Sequence, residues 1–219
     1  MNLSFYSLGS SHSSLTAHAD AVHGLAWLNG HGDSDGLVLS ACEKGALIAH
    51  DLRSRSPAWT LDLALHRQLV EGGGAGFCCL ASVSASMGSS SSRDSLVVAG
   101  CTSGYICIIN ATQRSITTVH KPHTDDVRSI SIFNEGISKR GENSFGLVTT
   151  SFDSCGSVLS YNNSQSSFHL EGMMRGHTDK ILGVSSGLRN NSLEVLTSGA
   201  DGKSLLWTRL PPHSSHIPR

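Results

Sequence analysis

The stretch GHTDKILGVSS (176–186), followed by LEVLTSGADGKSLLWT (193–208), decides how this chain folds, because close copies of it occur twice more. HTDDVRSISIF (123–133) with GLVTTSFDSCGSVLSYN (146–162) is one copy, and HADAVHGLAW (18–27) with GLVLSACEKGALIAHDL (36–52) is another. A weaker copy, AGFCCLAS (75–82) with SLVVAGCTSGYICIIN (95–110), lies between them and lacks the opening histidine. His18, His123 and His177 set a mean period of 53 residues over three repeats, so four units fill the 219 residues. A period of this size marks an array of supersecondary units, each burying its apolar face on its neighbours.

Within a unit the pattern is all β. Apolar runs such as 127–133, 147–150 and 157–161 are strand-sized and separated by Gly, Ser, Asn and Asp clusters. The turns EKG, TSG and ADG place glycine where a hairpin needs positive φ, so the second and third runs of those units pair antiparallel.

The last unit resembles the WD-repeat family of β-propellers, and the resemblance extends over residues 18–209. Gly176-His177 opens the unit, Thr197-Ser198-Gly199 lies in the second strand, Asp201-Gly202 makes the turn and Trp207 ends the third strand. The resemblance implies a buried hydrogen-bonded chain of His177, Thr197, Asp201 and Trp207. The third unit retains His123, Thr149 and Asp153, with Tyr161 expected at the Trp position and a turn longer by two residues. The first retains His18 and Ser40, with Lys44 at the Asp position and His50 at the Trp position. In the second only Gly100 and Gly104 of the pattern remain.

These matches imply an all-β propeller of about four four-stranded antiparallel blades, at about 18–65, 73–119, 123–172 and 177–209. TLDLAL (60–65), SITTV (115–119) and SFHLEG (167–172) read as outermost strands. After Trp207 no apolar run follows, so LSFYSL (3–8) is the candidate closing strand of the last blade, and 211–219 is expected to be a disordered tail. Propellers carry about four to eight blades, and members of the resembled family usually have seven. Three arrangements remain open: an incomplete arc, which is the favoured expectation, a small closed ring of four, and a partial or divergent product. The excess length falls in 29–36, 84–95 and 134–146, which read as mobile surface loops, the second with a serine run as a candidate for phosphorylation.

Composition narrows the function. Sixteen basic and seventeen acidic residues give a net charge of −1, so no basic field for nucleic acid or anionic membrane exists. No apolar run reaches membrane-spanning length, and residues 1–14 do not read as a signal peptide, which places the expectation in cytoplasm or nucleus. The six cysteines form no C-x-x-C pair and read as reduced packing residues; no metal or cofactor is expected. GGGAG (72–76) lacks the Lys-Ser/Thr of a phosphate loop, and the sequons at Asn2, Asn110, Asn162 and Asn190 carry weight only on a secretory route.

A Ser/Thr, His and Asp set can suggest a hydrolase, but its recurrence in strands and tight turns, once per unit, suits a structural network. The expected function is a non-catalytic scaffold binding other proteins, with self-association or a second chain completing the propeller. Candidate binding positions surround the opening histidines and hairpin turns: Asp20, Glu43, Lys44, Thr124, Asp125, Asp179, Lys180 and Ala200. Two alternatives are kept. HDLR (50–53) resembles the Trp-Asp-x-Arg ending of substrate receptors of cullin-RING ubiquitin ligases, matched at Asp51 and Arg53. A hydrolase on a propeller scaffold would need ionisable groups converging outside the repeat network.

Overall fold

Apolar side chains spaced by two, bounded by turn residues, produce the strands that the repeats predict. The computed structural model of the chain describes residues 18–28, 36–51, 57–83, 96–133, 144–190 and 192–208. Blade 1 contains β1 (Val22–Leu28), β2 (Leu37–Cys42), β3 (Ala46–Asp51) and β4 (Pro57–Asp62). Blade 2 contains β5 (Phe77–Ser82), β6 (Leu96–Cys101), β7 (Ile106–Asn110) and β8 (Ser115–His120), and blade 3 contains β9 (Val127–Phe133), β10 (Ser144–Ser151), β11 (Cys155–Asn162) and β12 (Ser167–Arg175). Blade 4 has three strands among the described residues, β13 (Ile181–Arg189), β14 (Ser192–Gly199) and β15 (Ser204–Thr208). Strands pair antiparallel in chain order within every blade. The candidate closing strand 3–8, the tail 211–219 and most of the three insertions lie outside the described residues.

The innermost strands stack in series, β1 on β5, β5 on β9 and β9 on β13, and among the described residues this packing does not return from β13 to β1. Each blade has a front face toward the preceding blade and a back face toward the following one. The back of blade 1 and the front of blade 2 share one core, with Leu39, Leu47 and Ala49 against Val97, Ala99 and Ile109. Val98 and Ile108 on the back of blade 2 meet Leu147, Leu159 and Tyr161 on the front of blade 3. Phe133, Val148 and Met174 on the back of blade 3 meet Leu193, Val195 and Trp207 on the front of blade 4. The exclusion of this apolar surface from water holds the blades together, at roughly 25 cal/mol per Å² buried.

Strand boundaries differ from the sequence expectation in the outer strands: that of blade 3 runs on to Arg175 instead of ending at 172. The outer strand of blade 1 is Pro57–Asp62 instead of 60–65, because Asp62 Oδ1 accepts the Ala64 N–H at 2.8 Å and turns the chain into a single 3-10 turn at Leu63–Leu65. A short helix α1 (Arg67–Glu71) follows, an element that the all-β expectation does not contain; its Leu69 plugs the first core. The glycine run ends α1 and leaves room for the Tyr105 ring, which any Cβ on Gly72 or Gly74 would strike.

Register also revises the third unit. Thr197 pairs with Leu205 and Val195 with Trp207, while Thr149 pairs with Ser157 and Leu147 with Leu159. Leu159, not Tyr161, therefore occupies the position of Trp207, and the hairpin is not lengthened. The apparent two extra residues are strand, since β11 begins directly at Cys155.

Candidate functional site

The polar residues shared by the repeats are absorbed in buried chains on the front faces. His177 donates from Nδ1 to Asp201 Oδ1 at 3.0 Å, and its Nε2 lies 2.8 Å from Thr197 Oγ1. Trp207 Nε1 donates to the same Oγ1 at 2.9 Å. A carboxylate only accepts and an indole N–H only donates, so the direction is fixed: Trp207 to Thr197, Thr197 to His177, His177 to Asp201. Thr178 and Lys203 backbone N–H groups also donate to Asp201, each at 3.1 Å. Burial pushes the Asp201 carboxyl up, but the hydrogen bonds from His177, Thr178 and Lys203 outweigh it and hold it at about 2.

Blade 3 repeats the arrangement, His123 reaching Asp153 at 3.0 Å and Thr149 at 2.9 Å. Burial lowers the His123 pKa against the pull of Asp153, which keeps the ring neutral. With Leu159 at the Trp position, no indole closes the chain. Tyr161 instead sends its hydroxyl across the blade junction to within 3.1 Å of Thr118 Oγ1 on β8, with its ring against Phe145 and Phe168.

In blade 1 the histidine at the Trp position takes over the role of indole. Ser40 Oγ lies 2.7 Å from both His18 Nε2 and His50 Nε2. A hydroxyl has one proton, so one imidazole accepts and the other donates. Lys44, at the Asp position, is exposed and 3.4 Å from Asp20, which leaves the buried His18 Nδ1 without a partner among the described residues. Burial lowers both histidine pKa values, and for His50 the neighbouring His18 adds to it. His50 is therefore committed to the interior of blade 1, while Arg53, needed for the ligase-receptor resemblance, lies outside the described residues.

The expected binding residues gather at one rim. In every blade the hairpin turn bonds to the loop that opens it: Glu43 N–H to Ala21 O, Thr102 N–H to Gly76 O, Phe152 N–H to Asp126 O and Ala200 N–H to Lys180 O. Asp20, Asp125 and Asp179 each accept the next backbone N–H, at 2.7–2.8 Å, so these carboxylates brace their own turns. Glu43 Oε2 lies 3.3 Å from His23 Nε2, and Thr124 donates its N–H to Asp153.

Just inside this rim each innermost strand carries a bulge, at His23, Cys78, Arg128 and Leu182. A bulge re-aims a side chain out of the sheet. Arg128 lies over the Phe152 ring at 5.0 Å, and Lys180 of blade 4 lies over the same ring at 4.4 Å. Among the described residues neither cation is in an ion pair. Cys78 is pushed up to about 11, first by burial and then by Asp126, and remains a thiol.

No protein-family model and no curated protein matches the chain. Solved structures do. A chain in the structure of the mitotic checkpoint complex is 20% identical and superposes over 90% of this chain and 52% of that one, with a TM-score of 0.62. The WD40 repeats of RRP9 are 17% identical over 88% of this chain and 52% of that one, with a TM-score of 0.57. The fold is of the WD40 propeller type. The computationally designed protein Ika4 shares it at 16% identity over 91% of this chain and 98% of that one, with a TM-score of 0.57. The chain spans about half the length of the RRP9 and checkpoint chains.

In this WD40-type array the described residues contain no cluster of His, Cys, Asp or Glu able to hold a metal ion, and no helix long and apolar enough to cross a membrane. All six cysteines are free; Cys42, Cys78, Cys101 and Cys107 are buried as expected, whereas Cys79 and Cys155 are only partly so. Sequence reasoning missed Arg128 and Phe152. Their signal was weak, since a bulge is visible only in the register, and Phe152 stands where the other hairpin turns carry Glu43, Thr102 or Ala200.

Proposed function

We propose that the chain is a protein-interaction scaffold whose rim captures an acidic segment of a partner protein, with Phe152, Arg128 and Lys180 as the anchor. The observation that carries this reading is the convergence of two cations from different blades on one aromatic ring, with no carboxylate among the described residues in an ion pair with either. A peptide carboxylate reaching that point meets two donors and an apolar platform, the combination that concentrates binding energy in a few side chains. The shared histidine, threonine and aspartate residues support the same reading indirectly: they are spent on holding turns, so the blades present rigid loops.

Peptides selected from a random display library on the immobilised chain should be enriched in Asp and Glu beside an apolar residue. The double variant Arg128→Glu/Lys180→Glu should lose them at least tenfold. Enrichment without acidic residues, or retention by the double variant, would sink the proposal.

A further inference from the structure

The rim carries a second feature that the repeats do not share. The connection from β4 to β5 covers 63–76, more than twice the length of 121–126 and 176–180, which open blades 3 and 4. It stands where blade 2 lacks an opening histidine, and its extra residues form α1. One side of this insertion is buried, with Leu63 and Leu69 0% exposed in the first core. The other side faces out, with Leu65 87% exposed and Val70 48%. Leu65 borders an open depression that Gly72 and Tyr105 also line. Arg67 and Glu71 at its edge neutralise each other at 2.6 Å. Lys121 lies 4.7 Å over the Tyr105 ring, exposed and in no ion pair among the described residues. An exposed leucine by itself is ordinary on a protein surface. Beside a cation held over an aromatic ring, it repeats the chemistry of the Phe152 anchor.

Hydrogen bonds tie the two places into one surface. The Thr102 and Ser103 hydroxyls donate to Gly73 O, just beyond α1, at 2.8 and 3.1 Å. Ser103 N–H donates to Asp126 Oδ1 at 3.1 Å, and Asp126 O accepts the Phe152 N–H at 3.0 Å. The depression is thus joined through the hairpin turn of blade 2 to the hairpin turn of blade 3. Facing sheets stack about 10 Å apart and an extended chain advances about 3.3 Å per residue, so roughly three residues of extended peptide step from one blade to the next.

We propose that the acidic partner segment continues, extended, from the Phe152 anchor onto this depression, where a second carboxylate meets Lys121 and an apolar side chain beside it covers Leu65 and Tyr105. This inference rests on the reading of the rim as an acid-binding anchor and adds the pattern of the partner: two acidic positions about three to four residues apart, one of them beside an apolar residue. A protein segment fits where a nucleic-acid strand does not. The strand would leave Leu65 and Val70 facing phosphates, and the net charge of −1 offers it no wider field.

The test selects a random peptide display library on three immobilised proteins: the parent chain, Leu65→Ser/Lys121→Gln and Arg128→Glu/Lys180→Glu. On the parent, selected peptides should carry two acidic positions about three to four residues apart, with an apolar residue beside one of them. Leu65→Ser/Lys121→Gln alters two exposed side chains and adds no charge, so its circular dichroism should match the parent and no repulsion is introduced. On it the apolar residue and one acidic position should drop out while the other acidic position persists. A two-acid peptide selected on the parent should bind this variant at least fivefold more weakly. A single acidic position on the parent, or two-acid peptides that bind the Leu65 and Lys121 variant as tightly as the parent, would overturn the inference and leave the Phe152 anchor standing. No acidic enrichment on the parent, or an unchanged two-acid selection on Arg128→Glu/Lys180→Glu, would overturn both.

Discussion

At Thr197 a single hydroxyl oxygen links indole and imidazole, and this defines the expected cost of losing either. Trp207→Phe keeps an aromatic side chain but removes the N–H donor to Thr197 together with part of the ring packed on the third core, so the folded state should lose at least about 1 kcal/mol in urea denaturation. Asp201 titrates near 2 in the folded chain against an ordinary value of 3.8. A depressed carboxyl contributes stability that is present above the unfolded value and lost as pH falls through the folded one. Asp201→Asn should therefore lower the melting temperature at neutral pH and flatten the fall of the urea midpoint between about pH 4 and pH 2. The histidines act in a higher window. His18, His50, His120 and His123 all have lowered values, chiefly from burial. Unfolded chains then bind more protons, and stability should decline as pH drops below the ordinary histidine value of 6.5. His18→Gln with His50→Gln should shallow that decline, measured as melting temperature between pH 7.5 and pH 5.

At the scale of the hairpin, all four turns share a positive φ one residue after the Asp position, at Gly45 (87°), Gly104 (84°), Ser154 (64°) and Gly202 (75°). Ser154 pays a steric penalty that glycine avoids, and Ser154→Gly should stabilise blade 3 by about 0.5–1 kcal/mol in chemical denaturation. Blade 1 offers the complementary change. Lys44 follows Ser40 by four residues, as Asp153 follows Thr149 and Asp201 follows Thr197. Lys44→Asp would place a carboxylate by the orphaned His18 Nδ1, at the cost of an exposed ion pair of little value. A gain of about 1 kcal/mol is expected; a loss would show that the turn of blade 1 cannot bring the carboxylate to His18. The hairpins were legible in the sequence because glycine and aspartate report local backbone needs. Tyr161 misled because spacing along the chain was taken as register across the sheet, and only strand pairing revealed Leu159 as the true counterpart of Trp207.

Across the whole molecule, stability in a linear array depends on the neighbours each blade has. Blade 2 is buried on both faces, with every residue of β6 and β7 buried. In blade 4, β15 alternates exposed and half-buried residues throughout. Native-state hydrogen exchange should accordingly protect β6 and β7 longest and release β15 first; uniform protection across the four blades would contradict a linear stack.

The repeats, their all-β character and the histidine, Ser/Thr and aspartate positions were determined by the sequence alone, because each rests on local chemistry: two-residue alternation, turn residues and a polar set recurring at one spacing. The bulge that aims Arg128 at the rim, the pairing of Lys180 with Phe152 and the exposure of Leu196 and Leu206 on the last blade were decided only by the tertiary structure. Leu196 is written with the same apolar character as Leu39, Val98 and Val148, and whether such a residue is core or surface depends on the presence of a neighbouring blade, which one blade's sequence does not encode.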